Sequence, residues 1–219
     1  MPALQNSKHL GGTIKWPTAI LLALFLSGVT GCASWKTGAE KNVVENGIQF
    51  ELFSESKDGR KLGTLARDMV IQGWPARKDF VVFHPDWRLD ELHLFRDFER
   101  NGIFMPVGTR VFPNEQGNPG VVCFSRDTAV QGYMIKGNRS GGYMTGFYPN
   151  GRLKWFYPRD PVVIDEITCT DSLWEEVQLY PDGRLRQCKL GKSVSIAGTE
   201  YSSGSVIRLD QSGNVTVAK

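Results

Sequence analysis

Apolar and polar residues alternate in short runs along most of this chain, a pattern typical of half-buried β-strands. In one run, Val177 and Leu179 point to one face of a strand and the residues between and after them to the other. No long apolar stripe with the helical period of 3.6 residues follows the first thirty residues, so we expect little helix there. The pattern predicts an all-β protein.

The alternation recurs in a repeat that is anchored on an acidic residue. The intervals between successive anchors are 29, 30, 33 and 33 residues. The anchors are Asp68, Asp97, Asp127, Asp160 and, in fifth place, Ser193. Arg precedes the first four anchors and Lys192 the fifth. Five residues after the anchors stand Gly73, Gly102, Gly132, Asp165 and Gly198. All five are turn-forming residues, so the offset indicates a turn in every repeat.

A second shared block predicts a β-hairpin. It reads FYPNGRL from Phe147 and LYPDGRL from Leu179. Pro presets φ, Asn or Asp bonds back to the backbone, and Gly accepts positive φ without steric cost. On the return strand the two apolar residues are three positions apart, so both can face the core only if a bulge intervenes. These pairs are Leu89 and Leu92, Leu153 and Phe156, and Leu185 and Cys188.

We therefore expect residues 47–219 to form an elongated array of about five hairpin-containing repeats, either an open twisted sheet or a solenoid. The FYPNGRLKWFYPRD and LYPDGRLRQ segments resemble the units of bacterial MORN-type and related antitoxin-like β-hairpin repeat proteins. In such families, aromatic-turn-Gly units stack into an elongated sheet. The resemblance implies a protein that scaffolds, binds or attaches rather than one that catalyses.

The first 31 residues have the character of a cleaved export signal. They contain Lys8 and Lys15 but no acidic residue, and an apolar stretch runs over residues 18–29. That stretch is too short to span a bilayer but suits a signal-peptide core. The following Val-Thr-Gly-Cys resembles the lipobox of bacterial lipoproteins, which implies cleavage before Cys32 and acylation of Cys32. The alternative is an ordinary signal peptide that is cut after Ala33 or Ser34. Residues 32–46 are polar and predict a short tether.

Composition and charge limit the classes of partner that the chain is expected to bind. The chain is 41% hydrophobic and 22% charged, as in ordinary globular proteins. Its net charge of +3 falls to +1 once the two leader lysines are removed, so we expect no nucleic-acid partner. The predicted partners are the membrane, through covalent lipid on Cys32, and a protein or polysaccharide of the cell envelope. The residue after Cys32 is Ala33 and not Asp, which by resemblance to proteobacterial lipoproteins favours the periplasmic face of the outer membrane if the source is Gram-negative.

The sequence predicts no catalytic residues, no metal and no cofactor. An Arg-Asp pair in every repeat is better explained by turn chemistry, with Asp capping a backbone N–H and Arg pairing alongside, than by a single asymmetric catalytic site. The histidines His84 and His93 have no partners at metal-ligand spacing. A hydrolase that combines them with Glu175 and Glu176 remains a less favoured alternative.

Three cysteines, Cys123, Cys169 and Cys188, remain beyond Cys32. In an oxidising compartment one disulfide could form and leave one thiol, but all three could equally be small buried residues.

The aromatic residues are the remaining functional candidates. We expect them either to fill the core and cover glycines, as aromatics ordinarily do, or to share the solvent face as a strip for stacking on sugars. The candidates at related places in the repeats are Trp74, Tyr133, Tyr148, Trp155 and Tyr180. Two functions follow: a non-enzymatic, membrane-anchored envelope lipoprotein that presents its sheet to a protein or cell-wall partner, and a carbohydrate-binding module.

Overall fold

The computed structural model describes residues 38–138, 142–170, 172 and 174–218, without the side chains of residues 217 and 218. The predicted leader, Cys32 and residues 32–37 of the predicted tether lie outside the described residues. The described residues form strands and turns and no helix, so the all-β prediction is confirmed. The strands are β1 (Glu40–Glu45), β2 (Ile48–Glu55), β3 (Lys61–Leu65), β4 (Met69–Ile71), β5 (Trp74–Ala76), β6 (Phe80–Phe83), β7 (Leu89–His93), β8 (Phe98–Arg100), β9 (Ile103–Met105), β10 (Arg110–Pro113), β11 (Pro119–Cys123), β12 (Thr128–Val130), β13 (Tyr133–Ile135), β14 (Thr145–Phe147), β15 (Leu153–Phe156), β16 (Val162–Ile164), β17 (Ile167–Cys169), β18 (Val177–Leu179), β19 (Leu185–Lys189), β20 (Val194–Ile196), β21 (Thr199–Tyr201), β22 (Val206–Leu209) and β23 (Val215–Ala218).

These strands form two layers. Thirteen of them make one open antiparallel sheet in the order β1-β2-β3-β6-β7-β10-β11-β14-β15-β18-β19-β22-β23. The other strands form five two-stranded hairpins, β4–β5, β8–β9, β12–β13, β16–β17 and β20–β21, each of which lies in sequence between two hairpins of the long sheet. We call them the short hairpins. One repeat is thus a long-sheet hairpin followed by a short hairpin.

A single hydrophobic core joins the layers. Phe83 and Leu153 of the long sheet and Trp74, Ile103 and Ile135 of the short hairpins all belong to it. Because neither layer can bury an apolar face alone, each repeat depends on both layers and on its neighbours.

The predicted bulges are present in the long sheet. The pairing register shifts between Val82 and Phe83, between Gly146 and Phe147, and between Gln178 and Leu179. As a result, both apolar residues of each return strand reach the core, in the pairs Leu89 and Leu92, Leu153 and Phe156, and Leu185 and Cys188. The hairpin turns also match the prediction, since Gly151 and Gly183 have φ of 82° and 96°.

The repeat anchors act as caps. The carboxylates of Asp68, Asp97 and Asp127 each accept a hydrogen bond from the backbone N–H ten residues further on, at 2.5, 2.7 and 3.0 Å. The hydroxyl oxygen of Ser193 accepts one from Ser203 at 3.1 Å. Two of the arginines pair with the anchor of the preceding repeat: Arg126 lies 3.9 Å from Asp97 and Arg159 lies 3.3 Å from Asp127. The structural interpretation of the Arg-Asp pairs is therefore confirmed for these repeats.

The fourth repeat departs from the rule. Its short hairpin begins at Val162, two residues after Asp160, because Pro161 is inserted; in the other repeats the strand starts directly after the anchor. The second turn residue is consequently Glu166, with φ of 66°, where the other repeats place glycine. The alignment of Asp165 with those glycines was therefore one residue out of register.

The sheet begins earlier than the sequence predicted. Residues 40–45 were expected to belong to the tether, yet they form β1 and pair with β2. The segment lacked an obvious pattern because both of its faces are exposed or nearly so. The folded domain thus starts by Glu40 rather than at residue 47.

Candidate functional site

The five candidate aromatic residues do not form one strip. Trp74 is only 1% exposed and lies in the core, where Arg100 stacks on its ring. Tyr133 packs against Phe156 with ring centroids 5.0 Å apart. Tyr148 and Tyr180 are structural in another way: each hydroxyl donates to a backbone carbonyl of the next long-sheet hairpin, Leu179 and Leu209 respectively, at 2.8 Å.

Trp155 is the candidate that remains available. It lies on the outer face of the long sheet, the face away from the short hairpins, and is half-buried. Its cross-strand partner is Gly146. A Cβ atom at Gly146 would overlap the indole, so the ring lies against the glycine backbone. One ring face therefore covers the sheet, as the core-and-glycine interpretation predicted, while the residue still reaches the surface.

The outer face can be compared between repeats because the strand pairing puts equivalent residues side by side. We define the C-terminal junction as Trp155 and Tyr157 beside Glu176 and Gln178, where β15 pairs with β18. The N-terminal junction is the equivalent set where β7 pairs with β10. It consists of Glu91, His93, Arg110 and Phe112.

The C-terminal junction contains an open groove of about 230 Å³. We call it the aromatic groove; its lining residues are Gly142, Met144, Trp155, Tyr157 and Glu176. Met144 is 47% exposed, and Trp174, two residues before Glu176, is 85% exposed. A groove lined by exposed apolar side chains such as Met144 is typical of an interaction surface.

The polar groups of the aromatic groove hold one another in place. Gln178 donates from Nε2 to Oε1 of Glu176 at 2.7 Å, and the Tyr157 hydroxyl donates to Oε2 at 3.5 Å. The ring of Tyr143 packs against Tyr157, with centroids 5.5 Å apart. Burial, and then the Glu176 carboxylate, raise the pKa of Tyr157, so its hydroxyl stays protonated at neutral pH and can donate.

At the N-terminal junction the same positions are filled by charged and aromatic groups that contact each other. Arg110 donates to the Glu91 carboxylate. Its guanidinium also lies 4.8 Å from the Phe112 ring centroid and 5.7 Å from that of Phe80. Nδ1 of His93 lies 3.2 Å from Oδ2 of Asp79, but it is buried and the geometry gives it no hydrogen-bond partner among the described residues. Arg110 thus covers the aromatic surface at the position that Glu176 occupies in the C-terminal junction.

The residues of the hydrolase hypothesis are not brought together. His84 lies 3.6 Å from Asp90, whereas His93 is beside Asp79. His93 ends β7 and Glu176 directly precedes β18, which is five places away in the sheet order, or roughly 24 Å at ~4.8 Å per strand. Over the part of the chain that the structure describes, no group of three or more His, Cys, Asp or Glu side chains could hold a metal ion.

The three cysteines that the structure describes divide into a bonded pair and a buried thiol. Cys169 of β17 and Cys188 of β19 form a disulfide with Cα atoms 5.7 Å apart. It ties the fourth short hairpin to the long sheet, close in sequence to the aromatic groove. Cys123 is free and buried, and burial raises its pKa to about 11. A thiol with that pKa is protonated at neutral pH and is therefore a poor nucleophile.

A second groove, of about 430 Å³, lies between the fourth and fifth repeats. Two of its carboxylates are engaged by backbone N–H groups. Asp165 accepts from the Leu185 N–H at 2.7 Å, and Asp210 caps the N–H groups of Ser212 and Asn214. No aromatic side chain lines it. The aromatic groove is therefore the better candidate site.

Sequence reasoning identified Trp155 but missed Met144, Tyr157 and Glu176 as its neighbours in one groove. Their grouping depends on cross-strand register, which the repeat alignment could have supplied had the bulges been placed first. It also left the cysteine pairing open, because Cys169 lies in a short hairpin that the repeat pattern did not resolve.

Comparison of the chain with protein-family models and with curated proteins found no match to either. Within the described residues, no helix has the length and apolar character needed to cross a membrane.

Proposed function

We propose that this chain is a non-enzymatic lipoprotein of the bacterial cell envelope that presents the outer face of its sheet to a protein or cell-wall partner. The observation that carries the binding role is the aromatic groove. There an exposed Met144, the Trp155 platform and an oriented Glu176 are left open, although the equivalent surface of the N-terminal junction is closed by its own side chains.

The structural roles of the repeated acidic residues and of the Cys123 thiol support the non-enzymatic part of the proposal. The repeated acidic residues cap backbone N–H groups, and the Cys123 thiol is protonated and buried. Those side chains stabilise the repeat, and nothing in that role requires a reacting substrate. The MORN-type resemblance of the repeats implies the same class of function.

The proposed lipid anchor is supported by the resemblance of residues 29–32 to a lipobox. One acyl chain binds a membrane reversibly, whereas two or three hold it stably, so a lipidated Cys32 would keep the domain at the outer membrane. With β1 beginning at Glu40, only seven residues separate Cys32 from the sheet. The first strand of the sheet would then lie close to the membrane surface, and the aromatic groove eight strands further along the sheet.

Cell fractionation tests the anchor. The wild-type chain is expected in the membrane fraction. A Cys32→Ser variant is expected in the soluble fraction or as the unprocessed precursor. Cys123→Ser, at a buried thiol, is the control and is expected to stay with the membrane. Membrane retention and normal processing of the Cys32→Ser variant would refute the lipid anchor.

Photocrosslinking in living cells tests the binding surface. A photoreactive amino acid at Met144 is expected to give a discrete crosslinked product, and the same group at Phe104, which is 42% exposed on the opposite layer, is expected to give none. Equal labelling from both sites, or none from Met144, would refute the aromatic groove as the contact surface.

A further inference from the structure

The aromatic groove offers one flat apolar surface of defined orientation. Because the Trp155 indole lies against the backbone of Gly146, one of its faces is fixed on the sheet. The surface of the residue that remains accessible contributes to the lining of the groove. A rigid indole held in this way loses little conformational freedom on binding, which makes it an effective stacking surface.

Hydrogen-bonding groups stand at the edge of that surface. Glu176 is held through both oxygens, by Gln178 at 2.7 Å and by Tyr157 at 3.5 Å. A carboxylate has about four lone-pair directions, so two bonds leave it able to accept from a ligand hydroxyl. The acceptor is thus preoriented next to the aromatic plane.

We propose that the aromatic groove binds one pyranose ring of an uncharged oligosaccharide. The apolar C–H face of the sugar stacks on Trp155, and its hydroxyls donate to Glu176. This inference rests on the proposed function and names the chemistry of its partner.

Three properties favour this ligand class over others. The volume of about 230 Å³ is below the usual range for drug-sized ligands, about 300–1,000 Å³, and suits a single ring. An aromatic plane bordered by a carboxylate acceptor matches a ligand with one apolar face and a rim of hydroxyl donors. The negative charge of Glu176 disfavours acidic sugars, because an unpaired like charge would be desolvated.

The N-terminal junction shows what removes such a site. There Arg110 lies over the rings of Phe80 and Phe112 and donates to Glu91. The aromatic faces are therefore already stacked on a guanidinium. We expect the sugar to bind the C-terminal junction and not this one.

Calorimetric titration of the full-length protein in detergent tests the inference. The probes are β-1,4-linked hexasaccharides of glucose and of N-acetylglucosamine. At least one is expected to bind. Trp155→Ala is expected to abolish binding and Glu176→Gln to weaken it about tenfold, since the hydrogen bond from the sugar hydroxyl then goes to a neutral acceptor instead of a charged one. Glu175→Gln, a neutralised carboxylate at the adjacent position outside the groove lining, is the matched control and is expected to bind as the wild type does.

The Trp155→Phe variant distinguishes a loss of stacking from a loss of folding. Phenylalanine still covers Gly146 and still stacks, so this variant is expected to melt like the wild type and bind the sugar more weakly. The inference is overturned if neither hexasaccharide binds the wild type, or if Trp155→Ala or Glu176→Gln binds as tightly as the wild type. A protein crosslinked from Met144 together with no hexasaccharide binding would overturn the sugar ligand and leave the proposed function intact. Hexasaccharide binding that depends on Trp155 supports both.

Discussion

The two junctions on the outer sheet face occupy equivalent places in the repeat and have opposite characters. At the N-terminal junction, Arg110 pairs with Glu91 and stacks on two phenylalanine rings. At the C-terminal junction, Trp155 and Tyr157 stand beside Glu176 and leave a groove. The strands pair in the same register at both junctions, so the side chains at and around these positions determine whether the junction is a stabilising contact or a site. The repeat supplies the scaffold, and departures from it supply the function.

The short hairpins on the other side of the sheet differ between the two regions as well. The fourth repeat, next to the aromatic groove, has an inserted Pro161, a strained Glu166 in its turn and a disulfide between Cys169 and Cys188. The repeats beneath the N-terminal junction have regular turns with Gly73 and Gly102. We infer that the disulfide offsets the irregularity of the fourth repeat.

Removing the disulfide is expected to have the largest effect and to act on the C-terminal region alone. The Cys169→Ala, Cys188→Ala double variant should lose about 3 kcal/mol of unfolding free energy, because the bond closes a loop whose ends are 19 residues apart. Hydrogen exchange should show faster opening of β16–β19, with β6–β10 unchanged, since repeat arrays open locally. Wild-type stability and exchange in the double variant would contradict the role given to the disulfide.

Breaking the ion pair of the N-terminal junction is expected to cost about 2 kcal/mol. Arg110→Met leaves the Glu91 side chain, only 11% exposed, without its cation, and an unpaired buried charge is destabilising. Chemical denaturation measures the loss. Glu91→Gln in the same background should restore part of it. In the C-terminal junction, Glu176→Gln should change stability by less than about 0.5 kcal/mol. Equal losses of unfolding free energy at both junctions would contradict the conclusion that the N-terminal junction is a stabilising contact and the C-terminal junction an open site.

Relieving the irregular turn should stabilise the C-terminal region. Glu166→Gly places glycine at φ of 66°, where other side chains are strained, and should raise the unfolding free energy by about 1 kcal/mol. Gly132→Ala, at the equivalent position of the third repeat with φ of 87°, should lower it by a similar amount. Thermal melting of the two variants measures both changes. Shifts of the same sign would show that the turns are not equivalent.

The smallest expected effect is a pH dependence that belongs to the N-terminal junction. Burial lowers the pKa of His93 below its usual 6.5, with Asp79 and Glu91 opposing the shift and Arg110 reinforcing it. The unfolded chain therefore binds a proton more readily than the folded chain does, so the free energy of unfolding falls as the pH drops below 6.5. His93→Gln should flatten the pH profile of the melting temperature through that range. An unchanged profile would remove His93 as its cause.

Much of the architecture was predictable because it rests on local chemistry. The Pro-Asn/Asp-Gly turns, the bulges implied by Leu185 and Cys188, and the Asp caps all follow from rules that act over a few residues. What could not be predicted depends on contacts across strands. The burial of Trp74 in the second layer and the meeting of Trp155 with Glu176 require the register of strands that are distant in sequence. The pairing of Cys169 with Cys188 needed the same information.

Oxidative footprinting of the purified protein and of intact cells distinguishes an occupied aromatic groove from an empty one. Hydroxyl radicals report the solvent access of Met144, Trp155 and Tyr157 in the aromatic groove and of Phe80 and Phe112 at the N-terminal junction. If the groove is an occupied binding site, its residues will be oxidised readily in the purified protein and protected in cells, while the N-terminal junction will react alike in both. Equal oxidation of the groove residues in cells and in solution would contradict the account.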